Sequence, residues 1–156
     1  MAAAETGSLE ILIGTPGGEH VSIRIMSRMH PNAEDYWDGN WLISPLEIVA
    51  GGFRAEVGAG LRADELASFR KALERIHASL RGEAVLESME GWLHLKVVAD
   101  RLGALRVTGR AVDRPGGNNI LSFTIEGLDQ THLRGVISSL SRAEAAFPVL
   151  GQPDQR

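Results

Sequence analysis

The chain has 156 residues, 44% hydrophobic and 23% charged, which fits one globular domain and excludes a disordered or fibrous protein. It has no cysteine, which removes disulfide frameworks, cysteine-ligated zinc and thiol catalysis together. The net charge of −4 is uneven: residues 1–60 hold three Arg against eight Asp+Glu, a balance that argues against nucleic acid there and would attract a basic partner, the plain alternative being solubility.

Met1-Ala-Ala-Ala-Glu-Thr-Gly7 has no basic flank and no apolar run, so no secretory signal is expected there. No apolar stretch approaches the roughly 20 residues of a membrane span. A cytoplasmic protein is expected. Leu9–Ile13 is a β-prone run, and the turn cluster Gly14-Thr-Pro-Gly-Gly18 follows it. Val21, Ile23 and Ile25 then alternate with Ser22, Arg24 and Met26, completing a hairpin. His30-Pro-Asn32 breaks the strand, and Ala33–Asn40 reads as an acidic, aromatic loop. Trp41–Ala50 is apolar and extended, with Pro45 marking an edge or a bulge. Gly51-Gly52 reverses the chain into Phe53–Ala59, another alternating strand.

From Asp64 the period changes to 3.6. Leu66, Phe69, Leu73, Ile76 and Leu80 form one stripe, with Gly82 placed as the C-terminal cap. Leu93–Ala99, Leu105–Ala111 and Leu121–Ile125 alternate around the turns Asp100–Gly103 and Pro115–Asn119, predicting an antiparallel meander with one dry face. Asp129 is positioned to cap a second helix through Leu133, Val136, Leu140, Ala143 and Phe147, which Pro148 ends. The expected fold is α+β: a twisted antiparallel sheet of about seven or eight strands with two amphipathic helices packed on one face. Residues 1–150 form a single domain and 151–156 a flexible tail. The repeated order, strands and then a helix, suggests an internal duplication.

Three acids, the only Tyr and two of three Trp fall within Glu34–Trp41. Glu34, Asp35, Tyr36, Trp37, Asp38 and Trp41 would form an anchor surface for a basic protein. The competing reading has the rings capping the core and the acids capping turns. A second cluster, His94, Lys96, Arg106 and Arg110 with Thr108, shares the outward face of neighbouring strands and could hold an anion; the plain alternative is a solvated sheet face. Catalytic signatures are absent. The five histidines show neither an i,i+4 pair nor His-Glu-x-x-His, no Gly-x-Ser-x-Gly occurs, and Gly14–Gly18 lacks the lysine of a phosphate loop. No catalytic residue, metal or cofactor is expected.

Asp38-Gly39-Asn40-Trp41-Leu42 resembles the Asp-x-Asn-Trp-Leu element of WapI-type bacterial immunity proteins, small cytosolic proteins thought to neutralise a toxin made by the same cell. The agreement extends loosely to the helix from Asp64, the strand Trp92–Ala99 and the closing helix ending in Phe147-Pro148. The resemblance implies a binding role, with a cognate toxin as partner, and marks no catalytic residue. Three functions stand: a non-catalytic protein-binding module of immunity type, a small-molecule or anion binder (an enzyme included), and a structural homo-oligomer.

Overall fold

The computed structural model describes residues 9–154. The segment read as lacking a secretory signal and the last two residues of the C-terminal tail lie outside them. Among the described residues eleven strands and three helices follow in order: β1 Leu9–Gly14, β2 His20–Ile25, β3 Ser27–Arg28, α1 Tyr36–Gly39, β4 Trp41–Ile43, β5 Leu46–Ala50, β6 Phe53–Val57, β7 Gly60–Arg62, α2 Ala63–Ser79, β8 Gly82–Glu87, β9 Leu93–Ala99, β10 Ala104–Val112, β11 Ile120–Asp129 and α3 Gln130–Ala146. The class is α+β, every strand pairing is antiparallel, and a run of strands precedes each of the three helices.

The single sheet expected from the sequence is three sheets, ordered β1-β2-β5-β6, β11-β10-β9-β8 and β3-β4-β7. The division runs through the extended stretch 41–50 at Pro45, which has no N–H to give a ladder. Main-chain bonds nevertheless cross the break: Arg24 N–H donates to the Pro45 carbonyl at 3.0 Å, Met26 to Ile43 at 2.9 Å, and Ser44 to Ala59 at 3.1 Å. Ser44, fully buried, accepts from the Leu61 N–H at 2.7 Å through its hydroxyl. The first and third sheets are thus joined as one ribbon interrupted at Pro45.

Both helices bury the stripe their periodicity demands. Leu66, Phe69, Leu73 and Ile76 of α2, and Leu133, Val136, Leu140 and Ala143 of α3, join one core with inward residues of the two large sheets. Full burial of each larger side chain is worth about 1.5–3 kcal/mol. α2 lies on β8, α3 on β1, and the two helices touch each other. The void where they meet the sheets is only about 10 Å³, between Ile13, Phe69, Val107 and Val136 among others. Gly109 interrupts the apolar stripe of β10 for a packing reason. It faces Phe123 across the ladder, and a Cβ there would stand 2.2 Å from the ring.

Two further expectations change. The left-handed residue closing α2 is Leu80 (φ 61°), and Gly82 instead opens β8. Leu80 consequently leaves the buried stripe and is 47% exposed. The meander has four strands. β8 escaped the sequence reading because Gly-Glu-Ala-Val-Leu-Glu turns only Ala84 and Leu86 inward, too short a pattern to separate from a helix.

Candidate functional site

The segment Glu34–Trp41 wraps a buried cation. Asp35 caps the single turn α1, accepting from the N–H groups of Trp37 and Asp38 at 3.2 and 3.1 Å. The turn points the Tyr36 and Trp37 carbonyls at Arg62, which β7 delivers from across the ladder opposite Trp41. Arg62 has no exposed surface. Its Nη1 donates to Trp37 O at 2.6 Å, its Nη2 to Tyr36 O at 2.7 Å, and its Nε to the Asp64 carboxylate at 3.0 Å. Three rings enclose the guanidinium: Trp41 at 4.8 Å, Tyr36 at 5.1 Å and Trp37 at 5.7 Å from Cζ to centroid. A planar, weakly hydrated guanidinium suits such a cage where an ammonium would not. Tyr36 donates its hydroxyl to Asp64 at 2.9 Å, and burial, with that bond, raises its pKa.

Asn40, also fully buried, fastens this turn to the end of the chain. Its Nδ2 donates to the Tyr36 and Leu150 carbonyls at 2.8 and 2.9 Å, and its Oδ1 accepts from the Leu150 N–H at 2.9 Å. Gly39 leaves no space for a side chain, since a Cβ would lie 3.0 Å from both Ala33 O and Leu150 Cδ1. Arg28 adds a second tie, donating to Gly39 O at 2.8 Å and Pro148 O at 2.6 Å. Leu42 enters the core. Of Asp38-Gly39-Asn40-Trp41-Leu42, four residues are therefore spent on the clasp, and Asp38 alone faces solvent with its carboxylate uncommitted.

A family model, the Immunity protein WapI-like family, matches residues 11–148. The chain belongs to that family. No curated protein matches it. Among solved structures, a chain from the work titled crystal structures of Trypanosoma "bruciei" MRP1/MRP2 aligns with 11% identity over 94% of this chain and 96% of that one, at a TM-score of 0.44.

In this family member the six residues of the acidic aromatic segment divide into two groups. Tyr36, Trp41 and the Asp35 cap build the clasp, whereas Glu34, Asp38 and the outer edge of Trp37, 36% exposed, remain accessible. Sequence reasoning missed Arg62, because a single Arg next to a helix start carries no local pattern, and it quoted Asn40 in the element Asp38–Leu42 without its anchoring role. The second cluster, on the outward face of β8-β9-β10-β11, is spread among acids. His94 pairs with Glu87, Lys96 with Glu83 at 3.2 Å, and Arg106 with Glu126 at 2.8 Å. Arg110 stands opposite His94 and Ser122 and, among the described residues, pairs with no carboxylate. Also among the described residues, no group of three or more His, Asp or Glu could hold a metal ion, and no helix is long and apolar enough to cross a membrane.

Glu65 joins the clasp to the β8–β9 turn. One carboxylate oxygen accepts from the Arg62 N–H at 2.9 Å and the other from the Met89 N–H at 2.6 Å. Burial outweighs those bonds and pushes its pKa up to about 7.

Proposed function

We propose that this chain is a non-catalytic immunity protein that binds and neutralises a toxin made by the same cell, and that the exposed acids of the Glu34–Trp41 segment meet a basic toxin surface. Family membership across residues 11–148 carries the reading, and the acidic excess of residues 1–60 supports it. The outward face of β8–β11 holds His94, Lys96 and Arg106 against acids and leaves Arg110 as the one member of that cluster without such a partner, so it offers an anion little net charge.

The test is charge reversal at Glu34 and Asp38, whose side chains hold nothing else in place; Asp35 is spared because it caps α1. Glu34→Lys with Asp38→Lys should weaken binding of the purified toxin about tenfold or more, chiefly through slower association that salt also slows. Thermal unfolding of the variant should match the parent. Unchanged association at low salt would exclude this segment as the contact.

A further inference from the structure

We infer that the toxin seat extends from the acidic turn over the outer face of the small sheet β3-β4-β7 and the neighbouring β8–β9 turn, a face that accepts apolar side chains lying between the cations of a basic partner. This rests on the toxin-binding reading above.

The face is continuous. Met29 stands opposite Trp41, its N–H bonded to the Trp41 carbonyl at 2.8 Å. Ile43 stands opposite Gly60. Above Gly60, the Met29 Cε lies 3.0 Å and the Trp92 Nε1 4.0 Å from where a Cβ would be, so Met29 and Trp92 meet over the glycine. Glu65 ties the Met89 N–H to the Arg62 N–H, which holds the β8–β9 turn beside the end of β7. Met29 is 39%, Ile43 44% and Met89 53% exposed. Clustered apolar exposure of this kind marks interaction surfaces, and methionines adapt their shape to a partner.

Charge decides the occupant. Glu34, Asp35 and Asp38 rim the face at the α1 end, and Glu90 follows Met89 at the other. Of the two arginines on these elements, Arg62 is enclosed and paired with Asp64, and Arg28, bonded to the Gly39 and Pro148 carbonyls, is a single cation set against these four acids. An apolar face inside an acidic rim fits a partner with apolar contacts ringed by Lys or Arg, whereas a second copy of the chain would oppose acid to acid.

The experiment measures affinity of the purified toxin for Ile43→Glu and Met29→Glu, with Ile43→Val and Met29→Leu as conservative partners. Phe53→Glu and Ile120→Glu serve as controls on the large sheets, at side chains 69% and 48% exposed. Ile43→Glu and Met29→Glu should each weaken binding about tenfold or more, the conservative variants should bind normally, and the controls should bind like the parent. Normal binding by Ile43→Glu, or weakening by the controls instead, overturns the inference. Should the Glu34/Asp38 reversal weaken binding while Ile43→Glu does not, only the extended seat fails. Absence of binding by the parent chain overturns the functional reading and the seat together.

Discussion

Arg62 is fully buried, and its desolvation is offset by the three acceptors aimed at its guanidinium, the Tyr36 and Trp37 carbonyls and the Asp64 carboxylate. Removing the guanidinium leaves the Trp37 carbonyl without its donor, the Tyr36 carbonyl with Asn40 alone, and Asp64 without its cation. Arg62→Ala should therefore cost about 3–5 kcal/mol, read as a lower midpoint of denaturant unfolding. Arg62→Lys should recover little, since an ammonium cannot reach both carbonyls and Asp64 while stacking under three rings. Near-parental stability of either variant would show that the cage is incidental. The same logic explains what was hidden in the sequence. The aromatics of 36–41 announced themselves by density, but the cation they enclose is 21 residues beyond Trp41 and is brought there only by the β4–β7 pairing.

At the level of elements, the helices were legible because their stripes run for four turns, and the short strands were not. β3 and β7 span two and three residues, and pairing across the ribbon defines them rather than any local alternation. The end of α2 shows a local rule overridden. Leu80 takes the left-handed conformation that glycine accepts without cost, and it is exposed. Leu80→Gly should stabilise the protein by about 0.5–1 kcal/mol, the relief of strain exceeding the added chain entropy; an unchanged or lower unfolding midpoint would contradict this. The start of α2 holds a titratable latch. The folded pKa of Glu65, about 7, stands above its unfolded value near 4.5, so the native state binds the extra proton. Its contribution is complete below about pH 4.5 and is lost as pH rises through 7, amounting to up to about 3 kcal/mol. Denaturant unfolding from pH 4 to 8 should show this decline in the parent, and Glu65→Gln should flatten it, whatever its absolute stability.

For the whole molecule, the element Asp38–Leu42 and the surface proposed for the toxin are adjacent but distinct. Gly39, Asn40, Trp41 and Leu42 hold the ribbon, the single turn and the segment at Leu150 together. That rigid clasp presents Glu34, Asp38, Ile43 and Met29 outward from a fixed frame, which lowers the entropy lost when a partner docks. The resemblance was legible in five consecutive residues, yet their burial was not, because a sequence of acids and aromatics reads equally as a surface or as a cage. Burial separates the residues that build from those available to bind.

The direct measurement is a titration of the purified toxin's activity with this chain. Neutralisation by binding requires activity to fall to background as the chain reaches stoichiometric excess, and Glu34→Lys with Asp38→Lys to shift that titration to higher concentration. Undiminished toxin activity in saturating parent chain would contradict the account.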